Sequence, residues 1–158
     1  MLAKDGEFSP KDFPVVPVII RDSAILVEDT YVVADDADVD GRFGADGLIR
    51  VGKAALFTLW LDATFGSCDS IEIYTAFIDD PKAASPKAYQ ESTIDNASGL
   101  DTLSLHSRTI LTNSGTLKTM FTTRLPAAEW MKVYAKCTGS ATGSLLELGI
   151  TMAPPGAL

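Results

Sequence analysis

Apolar and polar residues alternate with a period of two along much of this chain. From Ala55 to Phe65 the residues Ala55, Phe57, Leu59, Leu61, Ala63 and Phe65 fall on one face, while Leu56, Thr58, Trp60, Asp62 and Thr64 take the other. A strand apolar on both sides is expected at the centre of a sheet or at a subunit contact. Gly66-Ser67-Cys68-Asp69 is a turn signal, and Ser70–Ile78 follows as a strand with Ile71, Ile73 and Phe77 pointing one way. Upstream, Ile25, Val27, Tyr31 and Val33 predict one or two strands, and Tyr89–Ile94 a short one.

The second half reads as two hairpins. Leu103–Thr112 and Leu117–Leu125 flank Asn113-Ser114-Gly115-Thr116, a loop whose glycine can adopt positive φ. Met131, Val133, Ala135 and Cys137 alternate with Lys132, Tyr134 and Lys136, and Thr138–Gly143 turns the chain into a strand with Leu146, Leu148, Ile150 and Met152 on its apolar face. Only residues 82–90 and 126–129 invite a helical turn. Eight to ten short strands with almost no helix predict an all-β fold, an antiparallel β-sandwich or jelly roll.

At the N-terminus the pattern changes. Pro10, Pro14 and Pro17 surround Phe8, Phe13, Val15 and Val16. Proline lacks an N–H and disfavours helix in the residue before it, so residues 1–22 are expected to form an extended arm that carries apolar contacts. An edge strand folded back on its own domain is the alternative. The sandwich is then expected over residues 23–153, with a tail from Pro154 to Leu158.

Composition narrows the function classes. The chain has 158 residues and 16.8 kDa, the size of one domain, with 46% hydrophobic residues. Its net charge of −8 and pI near 4.5 argue against nucleic-acid and anionic-membrane partners, which need clustered Lys and Arg. The first residues lack the apolar core of a signal peptide and no apolar run is long enough to span a bilayer, so synthesis and folding in a cytoplasm are expected. Cys68 and Cys137 are too few for a disulfide scaffold.

Candidate chemistry is sparse. Asp36, Asp38 and Asp40, followed by Gly41, have the spacing of the first half of a calcium loop. Gly47 stands where the closing glutamate of such a loop belongs, which leaves a looser calcium site or a solvated acidic turn. His106 is the single histidine, and strand alternation turns Ser107 to the opposite face. No CxxC, nucleophile elbow, phosphate loop or HExxH motif occurs, so no catalytic residue is assigned and an enzyme is not expected. Trp60, Tyr74, Tyr89, Trp130 and Tyr134 would form a carbohydrate-stacking platform if they shared one exposed face. The competing use is core or interface packing, with Trp60, Trp130 and Tyr134 as interface aromatics.

The segment Glu129–Ser144, an aromatic and lysine-bearing strand running into a Thr/Gly/Ser turn and a last apolar strand, resembles the C-terminal strand-turn-strand of small virion proteins of tailed bacteriophages. Ile49–Ile78, with its Ile-Glu-Ile-Tyr strand after an Asp/Ser turn, is similar as well, and the likeness extends over roughly residues 48–153. It implies a β-sandwich capsid cement or decoration protein without catalytic residues. Such a protein attaches as a homo-oligomer, commonly a trimer, to the major capsid protein on the outer surface of the head. A neck or tail accessory protein and a carbohydrate-binding module are the other expectations. Residues 1–47 depart from the family pattern.

Overall fold

The computed structural model describes residues 16–37, 43–78, 88–89 and 108–154. Within them the chain forms β1 (Val18–Ala24), β2 (Val32–Val33), β3 (Ile49–Arg50), β4 (Leu56–Thr64), β5 (Cys68–Ile78), β6 (Ala88–Tyr89), β7 (Arg108–Thr112), β8 (Thr116–Arg124), β9 (Trp130–Gly139) and β10 (Leu145–Ala153). A short 3-10 turn at Ala45–Gly47 precedes β3. The fold is all-β, with two antiparallel sheets.

One sheet has the order β1-β10-β4-β8. The other is built on β9 and β5, with β2 and β3 both on the outer edge of β9 and β6 and β7 both on the outer edge of β5. The inward side chains are those the alternation predicts. Phe57, Leu59, Leu61 and Ala63 of β4 and Leu146, Leu148, Ile150 and Met152 of β10 come from one side. Ile71, Ile73 and Phe77 of β5 and Met131, Val133, Ala135 and Cys137 of β9 come from the other, and all belong to one core cluster. Each large side chain removed from water contributes about 1.5–3 kcal/mol.

Neither expected hairpin forms. β7 pairs with β5 while β8 pairs with β4, and β9 pairs with β2, β3 and β5 while β10 pairs with β1 and β4. Each turn therefore carries the chain from one sheet to the other, as does the turn between β4 and β5. The reason is visible in what the turns bond to. Phe65 N–H donates to the Gly115 carbonyl (2.9 Å), Ser67 N–H to the Thr142 carbonyl (2.9 Å) and Asn113 N–H to the Asp69 carbonyl (3.0 Å). The Asn113 side chain donates to the Cys68 carbonyl (2.7 Å) and accepts from Gly115 N–H (2.8 Å). Three crossing turns thus lie side by side at one end of the sandwich, each satisfying polar groups of its neighbour.

β1 begins at Val18, so the first strand of the sandwich starts inside the stretch expected to be arm. Val18 and Ile19 pair with Ile150 and Gly149, and Ile20 is 1% exposed within the core. The edge-strand alternative holds for residues 18–22, because Ile20 has an apolar sheet interior to fill. Val16 remains 70% exposed, whereas Phe8, Phe13 and Val15 lie outside the described residues, as do residues 90–94 and His106.

Two outcomes are expected in equilibrium denaturation. Ile20→Ala costs about 2–4 kcal/mol, whereas Val16→Ala stays within about 0.5 kcal/mol; equal, small effects would mean that β1 does not belong to the core. Gly66 and Gly115 both have positive φ (56° and 82°), but a Cβ on Gly66 would collide with the Thr142 carbonyl oxygen and the Gly143 backbone while one on Gly115 meets nothing within 4 Å. Gly115→Ala is therefore expected to cost about 1–2 kcal/mol and Gly66→Ala distinctly more.

Candidate functional site

On the outer face of the first sheet, the register aligns Ile19 of β1, Gly149 of β10, Trp60 of β4 and Met120 of β8 in one row across four strands. Gly149 leaves a notch in that row. A Cβ there would stand 2.9 Å from Pro17 Cβ, so the proline ring and the glycine backbone pack directly on each other. The result is a shallow apolar groove of about 520 Å³, with Pro17, Ile19, Gly149, Trp60 and Met120 among its lining residues. Trp60 is 37% and Met120 56% exposed, large apolar side chains left to solvent.

Polar groups frame the groove. The Lys118 ammonium meets the Asp62 carboxylate at 2.9 Å, and this hydrogen bond, together with the charges of Asp62 and Glu147, raises the lysine's pKa. Being exposed, the pair orients the rim and adds little stability. Trp60 Nε1–H donates to Thr151 Oγ1 (3.0 Å), which holds the indole across the neighbouring threonine row, where Thr58 and Thr122 bond each other (2.7 Å). The indole is thus anchored at its polar edge and leaves apolar surface to solvent.

The outer face of the second sheet is treated differently. Tyr74 is 1% exposed there, stacked on Tyr134 (centroids 5.7 Å, 29°) and tilted against Tyr31 (5.7 Å, 50°). Tyr31 O–H donates to Glu72 (2.9 Å), and the Lys136 ammonium lies 3.8 Å from the same carboxylate oxygen and 4.6 Å from the Tyr31 ring centroid. Burial pushes the Tyr74 phenol above the usual tyrosine range, with the Tyr134 charge adding to it, and Tyr74 Oη is buried without a hydrogen-bond partner. The sequence signal for this second packed face is the nearly unbroken apolar run around Tyr74 and Ala76, which lies opposite the Ile71, Ile73 and Phe77 side of the strand.

The aromatic residues therefore do not share a face. Trp60 is on one side of the sandwich, and Tyr74, Trp130 and Tyr134 are on the other, where the Arg50 guanidinium lies 5.9 Å from the Trp130 ring. A five-ring carbohydrate platform does not assemble, because Trp60 lies on the outer face of one sheet and Tyr74, Trp130 and Tyr134 on the outer face of the other, and the outer faces of two packed sheets point away from each other. Nothing is described of the Tyr89 side chain.

Of the aspartate loop, Asp36 is described and Asp38 and Asp40 lie outside the described residues. Asp36 accepts from Asp22 N–H (2.7 Å) and its own N–H donates to the Ile20 carbonyl (2.9 Å), so it ties the loop to β1. Asp36 and Asp35 also hold up the pKa of Arg21, which burial lowers. Among the described residues no group of three or more His, Cys, Asp or Glu side chains is arranged to hold a metal.

Both cysteines are buried and free. Burial pushes the Cys137 thiol up to about 12, with the neighbouring Cys68 thiol and the charges of Glu28 and Asp29 acting in the same direction. A thiol whose folded pKa exceeds its unfolded value stabilises the fold fully below the unfolded value, near pH 9, and this stability is lost as pH rises towards the folded one. Denaturation midpoints are expected to fall between pH 9 and pH 12, by up to about 1.4 kcal/mol per pH unit for the group, and Cys137→Val flattens that fall. An unchanged pH profile in Cys137→Val would assign the loss elsewhere. In comparisons with known proteins, no family model and no curated protein matches this chain.

Proposed function

We propose that the sandwich is a jelly roll and that the chain is a non-enzymatic structural protein of a tailed-phage particle, a cement or decoration protein bridging major capsid subunits on the outside of the head. The observation that carries this reading is the strand order. With β2 and β3 as one position and β6 and β7 as another, the order β1-β10-β4-β8 faces β2/3-β9-β5-β6/7, and connections cross from sheet to sheet. Jelly rolls are wound in this way, and viral capsid and lectin domains use them. The resemblance of the Glu129–Ser144 segment to strand-turn-strand segments of phage virion proteins favours the first of those classes.

The surface chemistry supports a role in covering a seam between subunits. Trp60, Met120, Ile110, Ile25, Val27 and Leu145 leave large apolar groups on the outside of a molecule with net charge −8. Burying such groups at a junction stabilises it by about 25 cal/mol per Å² before association costs are subtracted. The charge suits a position outside the shell, away from packaged nucleic acid.

The test is to image heads assembled with and without the chain and to count its copies. Hundreds of copies per particle, set by the symmetry of the shell, are expected over capsid-subunit junctions, with bare heads rupturing at lower temperature. About a dozen copies in a ring would move the protein to the neck or tail. Saturable, calcium-dependent glycan binding in calorimetry, with no attachment to heads, would favour the lectin-like use of the same fold.

A further inference from the structure

We propose that the open face of the first sheet pairs with the same face of a second copy about a two-fold axis along β4, so that Met120 of each chain enters the other's groove over Gly149. The face is built of rows across β10, β4 and β8, and each row has its own chemistry. Gly149, Trp60 and Met120 make the apolar row. On one side of it lie Glu147, Asp62 and Lys118, and on the other Thr151, Thr58 and Thr122.

Sheets packed face to face keep their strands within about 30° of each other and lie about 10 Å apart. A two-fold axis along β4 then sets β10 of one copy over β8 of the other and keeps each row over its own mate. At the two flanks of every row, complementary partners meet. Gly149 faces Met120, a missing side chain opposite a large exposed one. Glu147 faces Lys118, an anion opposite a cation, and Thr151 faces Thr122. Asp62 faces its own mate near the axis, where each keeps its own Lys118 at 2.9 Å. The Trp60 indoles pass side by side, since each leans from β4 towards β10 to bond Thr151 Oγ1 (3.0 Å) and the two-fold turns them to opposite sides of the axis. Each arriving Met120 thioether therefore lies between Ile19 and an indole, a contact favourable to sulfur. Pro17, packed on Gly149, walls the same site from within its own chain.

Other axes give poorer matches. One across the strands, along the apolar row, sets Gly149 on Gly149 and leaves a void, and it lays the Glu147, Asp62 and Lys118 row on threonines, which strips charges of water without an opposite charge. One along β10 sets Glu147 on Glu147. Three overlapping strands at about 4.8 Å spacing and nine residues at about 3.3 Å cover about 400 Å² in projection per copy, and side-chain relief brings the total accessible area buried to about 1,000 Å². That is a small interface, suited to a dimer that dissociates on dilution. A two-fold contact is closed and uses up this face, while Ile110, Ile25 and Val27 stay exposed outside its rows. The pairing concerns contacts between copies alone, so it stands or falls separately from attachment to a capsid.

Sedimentation of the full chain over a micromolar range of concentration is the test. Wild type is expected as a dimer in equilibrium with monomer, and Met120→Glu raises the dissociation midpoint about tenfold or more. Lys118→Glu and Glu147→Lys each weaken self-pairing, because each sets like charges opposite one another on both sides of the axis. An equimolar mixture of the two forms a heterodimer in which both contacts join opposite charges. Met120 is 56% exposed and the Lys118 side chain 82%, so these variants are expected to keep wild-type circular dichroism. In chains carrying Trp130→Phe, Trp60 emission moves to shorter wavelength as the dimer forms. A wild type that is monomeric or of an order other than two, a dimer indifferent to Met120→Glu, or charge variants that do not prefer each other would each overturn the proposal.

Discussion

The hydrogen bonds that join the crossing turns are the constraint on which the rest of this structure depends. Gly66 sits against Thr142 and Gly143, Phe65 against Gly115, and Asn113 against Cys68 and Asp69. Because these backbone groups are satisfied by neighbouring turns, the strands leaving each turn are free to diverge into separate sheets with their apolar sides facing. Ser144 adds a further tie. Its hydroxyl donates to the Ala141 carbonyl (2.7 Å) and accepts from Leu26 N–H (3.2 Å), which draws the stretch after β1 over the same end of the sandwich.

This arrangement leaves two outer faces, and they have different fates. Across β5 and β9 the face is packed with tyrosines around a Glu72–Lys136 pair whose members are mostly shielded from water. Such a pair gives geometric definition more than net stability, since the loss of solvation offsets much of its attraction. Across β10, β4 and β8 the face stays open, with polar threonines and one ion pair around the indole of Trp60 and the thioether of Met120. The two outer faces thus differ in kind: tyrosines cover the middle of one, although Ile110 beside Glu72 stays exposed, whereas Trp60 and Met120 stand in the open middle of the other.

The strand interiors were legible in the sequence. The alternation from Phe57 to Phe65 and from Met131 to Cys137 marks the buried positions, because a side chain's direction in a strand depends on parity alone. The surface was less legible. Prolines and apolar side chains suggest an extended arm through residue 22, but Pro17 and Ile19 belong to the groove and Ile20 to the core, a division made by β10 as the partner of β1. Trp60, Trp130 and Tyr134 stand out by residue type, yet only the stacking of two sheets separates the first from the others. Gly149, which shapes the groove, looks in the sequence like a weak point in a strand, and its use emerges only when Pro17 is brought against it.

The chain by itself determined that it would be built of strands, where they turn and which side of each avoids water, since these follow from local backbone geometry and the hydrophobic effect. Tertiary structure decided which strands are neighbours. A glycine turn such as Asn113–Gly115 serves a hairpin with strands about 5 Å apart or a crossing between sheets about 10 Å apart, and the same apolar side is buried either way. Residues distant in sequence made that choice, Gly66 with Thr142 and Cys68 with Asn113, by giving the turn's polar groups their partners.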